Sequence, residues 1–93
     1  MPEVVRMGDV NDADGSIIDP LTVSVFANWL LVSVNGSFVG PHLPCPSVQI
    51  HCAATVIEGS PNVFAEWVEV VRVDDLDSCT HVRSTGSPDV LAN

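Results

Sequence analysis

The chain repeats itself, and the phase of the repeat limits the possible folds more than any other feature of its 93 residues. Ser60 to Val73 reads SPNVFAEWVEVVRV and Val23 to Val34 reads VSVFANWLLVSV. Placing Phe26 on Phe64 also places Val25 on Val63, Ala27 on Ala65, Trp29 on Trp67 and Val32 on Val70. A third head, SPDVLAN, runs from Ser87 to Asn93. The second half of the unit recurs as well: VVRMGD at Val4 to Asp9 matches VVRVDD at Val70 to Asp75, with a weaker middle copy, VSVNGS, at Val32 to Ser37. One end of the chain therefore carries a tail without a head, and the other a head without a tail. The two ends are expected to complete one unit in space, closing three hairpin-like units around a pseudo-threefold axis.

Each unit reads as β-structure. Ser-Pro-Asn and Ser-Pro-Asp are turn formers, because Pro presets φ and Asn or Asp bonds its own backbone. Val-Phe-Ala then makes a strand, a tight turn falls near Ala27-Asn28 and Ala65-Glu66, and a second strand follows. Gly8-Asp9, Asn35-Gly36 and Asp74-Asp75 end that strand in another turn. Seven Pro and six Gly break the chain, and no window holds the i, i+3, i+4, i+7 apolar spacing of a helix. The expected fold is all-β, one domain over residues 1–93, with no helix required.

Charge removes several classes of function. Twelve acidic residues face three Arg and no Lys, for a formal charge of -9. A nucleic-acid binder needs cations to displace counterions from phosphates, and docking on an anionic membrane needs them too. The apolar content of 46 % is too high for a disordered chain. No apolar run approaches the ~20 residues of a membrane span, and the N-terminus lacks the pattern of a secretory signal.

The six His and Cys residues fall in two short connectors: His42, Cys45, His51 and Cys52 in one, Cys79 and His81 in the other. Imidazoles and thiolates at short spacing are what a tetrahedral zinc site uses, at about 2.0–2.3 Å from the metal. Cys79 and His81 would share one side of an extended strand, since strand side chains alternate. The spacing matches neither a zinc finger nor a zinc ribbon. Four readings stay open, in this order: a metal site; a buried core, which suits Cys52 beside Ala53-Ala54; a disulfide, which would leave one of three thiols over; and a catalytic Cys-His pair, which needs an orienting group and a pocket. Small domains usually need a staple, which favours the metal.

GSPNVF at Gly59 to Phe64, the VVRMGD and VVRVDD pair, DSCTH at Asp77 to His81 and the closing TGSPDVLAN resemble the PAAR-repeat proteins. The resemblance covers nearly the whole chain; it is specific over residues 57–93 and degenerate over residues 20–40. It implies a small cone-shaped β-domain of three pseudo-threefold-related hairpin repeats. Its base caps a trimeric β-helical spike, on a contractile phage tail or a type VI secretion spike, and the spike punctures a target cell envelope. It also implies one structural zinc near the apex, held by His42, His51, His81 and Cys79, with Cys45 the rival to Cys79. The first unit, with Ala13 and Asp14 at the corresponding place, would supply no ligand. Trp29 and Trp67, where many members have Asn-Gly turns, would either pack on the spike or close the domain's own core. The resemblance implies no enzymatic activity, and the absence of a toxin or adaptor extension points to the tip of a virion's baseplate spike rather than to secretion. Two competitors are a small zinc enzyme, for which no motif such as HExxH is present, and a metal-free β-module that binds a protein.

Overall fold

The computed structural model describes all 93 residues. Regular strands are very short: β1 Ile17–Asp19, β2 Phe26–Ala27, β3 Leu30–Leu31, β4 Phe38–Val39, β5 Phe64–Ala65 and β6 Val68–Glu69. They form three antiparallel pairs, β1 with β4, β2 with β3 and β5 with β6. The only helical element is a three-residue 3-10 turn, Gln49–His51. The all-β expectation holds, and the molecule is elongated, 35 × 23 × 23 Å.

The repeat is visible in the pairing. β2 and β3 pair Phe26 with Leu31 and Ala27 with Leu30; β5 and β6 pair Phe64 with Glu69 and Ala65 with Val68. The third hairpin joins the two ends of the chain. Glu3 bridges Leu91, while Val4 N–H donates to Val90 and Ala92 N–H to Pro2. Asn28-Trp29 and Glu66-Trp67 are the central residues of the two internal turns, one residue later than the sequence suggested, and all four have φ between 50° and 75°. That is the geometry of a type I′ hairpin turn, which normally selects Asn or Gly.

Beyond the hairpins the units close on one another in a ring. Arg6 bridges Val32, Val34 bridges Val70, and Arg72 bridges Val4. On the axis, Val5 N–H donates to Val71 O, Val71 N–H to Ser33 O and Ser33 N–H to Val5 O, each at 2.9 Å. These three residues are completely buried. A ring of this kind satisfies buried backbone groups without any long strand. Next in each unit comes a turn in which Asp9 N–H donates to Arg6 O, Ser37 N–H to Val34 O and Asp75 N–H to Arg72 O. Gly8, Gly36 and Asp74 take the left-handed position in these turns. The departure from Gly at residue 74 thus leaves the turn intact. In two units the turn is clamped by a bidentate ion pair, Arg6–Asp9 and Arg72–Asp75. In the middle unit buried Val34 and Ser37 take those places.

Two apolar clusters are stacked on this frame. One holds Val4, Val32, Val70 and Ala27, Ala65, Ala92, each set one residue per unit, with Val34. The other holds Val5, Val71, Ile17, Val39, Ala54, Val56 and Cys79. Cys79 leads from the second cluster to the His residues. At the far side of the first cluster, Phe26, Phe64 and Leu91 occupy equivalent positions and face solvent.

A candidate metal centre at the apex

Three loops leave the central ring on the side opposite the hairpin turns. Asn11 bridges Arg83, Ile17 pairs with Val39, and Val56 bridges Asp77, so the loop bases again pair in a cycle. The first and third loops share one conformation. Asn11 N–H donates to Gly15 O as Asp77 N–H does to His81 O, and Asp14 and Thr80 both have positive φ. The second loop, residues 40–55, is much longer. It carries His42 and His51, and the third carries Cys79 and His81. Cys79-Thr80-His81 is a turn, not the extended strand expected from sequence; the left-handed Thr80 folds Cys79 and His81 together.

The four side chains expected from the resemblance converge. One donor atom from each of His42, His51, Cys79 and His81 lies within 4.8 Å of all the others. His51 Nδ1 is 3.2 Å from His42 Nε2, and Cys79 Sγ is 3.4 Å from that same nitrogen. The three imidazole centroids form a near-equilateral triangle with sides of 5.1, 5.3 and 4.9 Å. Donors around a tetrahedral zinc stand about 3.3–3.8 Å apart, from bonds of about 2.0–2.3 Å. Cys79, His42 and His51 are buried.

The tautomers follow from the outer partners. His42 Nδ1 is 2.9 Å from Gly40 O, and a carbonyl can only accept, so this nitrogen carries the proton. His81 Nδ1 is 2.8 Å from Asp12 Oδ1, with the same consequence. Both rings therefore turn an Nε2 lone pair inward. His81 Nε2 is buried with no hydrogen-bond partner. Such an orphaned acceptor, facing two imidazoles and a thiol, fits a metal ion. Burial first, then the neighbouring His81 and His42, hold His51 below the usual imidazole range, which keeps its lone pair free.

The first unit, from which no ligand was expected, takes part all the same. Asp12 orients His81. Gly15 stands where the third loop has His81, and a Cβ there would lie 2.6 Å from His42 Nδ1 and 2.7 Å from Asn11 Nδ2. Beneath the loops, Arg83 and Asp77 form a fully buried ion pair at 3.1 Å. Arg83 also donates to Gly15 O and Asn11 to Asp77, so the first and third loops share one polar footing. Burial pushes the Asp77 carboxyl up and pulls Arg83 down, each partly offset by the other.

The other two thiols correct the sequence reading. Cys45 and Cys52 are joined in a disulfide, placed third among the alternatives above. Cys45 is therefore no rival ligand to Cys79, and Cys52 is not a free core hydrophobe. The pairing was hidden because the loop doubles back: His42 N–H donates to His51 O, which brings the residues flanking both His together. Cys79 is the one free thiol.

At the opposite end, Trp29 and Trp67 are 94 % and 96 % exposed. They do not close the core. A hollow of about 160 Å³ is lined wholly by apolar side chains, among them Phe26, Phe64 and Leu91.

No known family model matches the chain, and no curated protein is significantly similar to it.

Proposed function

We propose that this chain is the metal-stapled tip of a membrane-puncturing spike, capping a trimeric β-helical partner on a contractile phage tail; a type VI secretion spike offers the same role. The reading rests on the base. A trimer meeting a single chain needs a near-threefold surface on that chain, and Phe26, Phe64 and Leu91 are solvent-facing equivalents around the pseudo-axis. Trp29 and Trp67 stand beside them in left-handed turn positions, where a bulky residue is costly and Gly would be free. They gain nothing from the chain's own core. Exposed apolar groups in such number mark an interaction surface, and aromatic anchors are what an interface uses.

The apex supplies the other half of the role. Loops resting on strands of only two or three residues have little regular structure to hold them under load. One ion joining the second and third units would tie them. Three imidazoles and a thiolate would fill a tetrahedral zinc and leave no place for water or substrate, so the role is structural rather than catalytic. The donor set suits zinc.

Two measurements test the proposal. Elemental analysis of the purified chain is expected to give about one zinc per chain, lost in His42→Ala, His81→Ala and Cys79→Ala. Mixed with a trimeric β-helical spike fragment, the chain is expected to bind one per trimer, and Trp29→Gly/Trp67→Gly to abolish it. Zinc without trimer binding would leave a metal-stapled β-module of another kind; a well-folded chain without zinc would remove the staple.

A further inference from the structure

The segment carrying His42 and His51 makes no backbone hydrogen bond outside itself, and its two imidazoles pack against Cys79 and His81 of the third loop. The backbone hydrogen bonds of residues 41–53 all close within the segment, from His42 N–H to His51 O through Cys52 N–H to Gln49 O. No Asp, Glu, Lys or Arg occurs between Asp19 and Glu58, so no ion pair anchors it. Leu43, Val48 and Ile50 point into solvent instead of a core. A further constraint is covalent: the Cys45–Cys52 bond overlaps the His42–His51 span, beginning three residues after one imidazole and ending one residue after the other. Both cysteines are partly exposed, while Cys79 is buried.

We infer that the Cys45–Cys52 disulfide is a redox gate on the metal centre: oxidised, it presets two of the four donors, and reduced, it lets them separate. This rests on the metal reading above. The chemistry is ordinary exchange. A dithiol of the thioredoxin class attacks the bond as a thiolate, passes through a mixed disulfide and leaves as its own disulfide. Two electrons and two protons are transferred, and Cys45 and Cys52 become thiols. The buried Cys79 takes no part. Closing a loop this short removes chain freedom that would otherwise be lost on metal binding. The expected difference in zinc affinity between the two forms is on the order of 10- to 100-fold. Linkage makes the effect reciprocal: zinc must protect the disulfide from reduction by the same factor.

The test uses the full chain and zinc alone. Its dissociation constant is measured by competition with a chromophoric chelator for the oxidised chain, for the chain reduced with a dithiol that is then removed anaerobically, and for Cys45→Ser/Cys52→Ser. In parallel, the wild-type disulfide is equilibrated with glutathione buffers with and without zinc, which needs no variant to fold. Weaker binding in both open forms, with a matching shift of the glutathione equilibrium, supports the gate. Equal affinity in all three forms overturns it while leaving the metal site standing. Tighter binding by the reduced chain than by the serine variant makes the new thiols ligands and also overturns it. An oxidised chain that binds no zinc defeats the metal reading itself.

Discussion

His81 donates its Nδ1–H to the carboxylate of Asp12 at 2.8 Å, so the repeat without a ligand orients one that belongs to another repeat. A carboxylate behind an imidazole fixes its tautomer and raises its basicity. Asp12→Ala is expected to weaken zinc binding on the order of 10- to 100-fold, measured by chelator competition. Because Asp12 is half-exposed, melting of the zinc-free chain should hardly change. An unaltered zinc affinity would mean that packing alone orients His81.

The axial ring sets where the core can least tolerate loss. Val71 is completely buried and shares that ring with Val5 and Ser33. Val71→Ala removes two methyl groups from a site closed on all sides and should cost about 2 kcal/mol in urea unfolding. Val23→Ala, at a position 82 % exposed, should stay within about 0.5 kcal/mol of wild type.

The two tryptophans separate stability from binding. Trp29 and Trp67 have φ of 71° and 75°, a region that Gly enters without steric cost. Trp29→Gly and Trp67→Gly are each expected to leave the free chain as stable as before, or more stable by up to about 1 kcal/mol. Thermal melting checks this. A marked loss of stability in either variant would show that these rings support the fold after all.

The base also carries a pH dependence. Glu66 accepts hydrogen bonds from Val23 N–H, Ser24 N–H and the Ser24 hydroxyl, tying one hairpin turn to the head of its neighbour. The bond from Val23 first, then that from Ser24, holds its carboxyl below the ordinary value of 4.5. Asp89, bonded by Asn28 and Ser87, is lowered likewise. A lowered folded pKa means stability that is complete above the unfolded value and lost as pH falls through the folded one. Melting temperature should therefore drop between about pH 5 and pH 3, and drop less in Glu66→Gln. Identical acid profiles for the two would place the acid sensitivity elsewhere.

Much of the site is legible in the sequence because the motifs around it resemble a known family. His42, His51, Cys79 and His81 were named from motif resemblance, and they do converge. Spacing alone could not assign the remaining thiols. Residues 45 and 52 pair only because the loop doubles back on itself, and no pattern in PHLPCPSVQIHC announces that reversal. Asp12 carries no such signal for a different reason: it stands one residue before Ala13 and Asp14, which match the ligand positions, and acts only through His81.

The architecture follows from local sequence. Repeat phase, turn residues and β-branched runs are local properties, and three half-matched units admit one closure, with Glu3 against Leu91. Tertiary structure decided everything that depends on distances between units: which nitrogens face inward, which thiols pair, and that Trp29 and Trp67 stand in solvent rather than in the core. The physical reason is that strands of two or three residues fix only their neighbours. The separation of side chains on different loops is set by the ring that gathers the loops, and that ring exists only once the chain has closed.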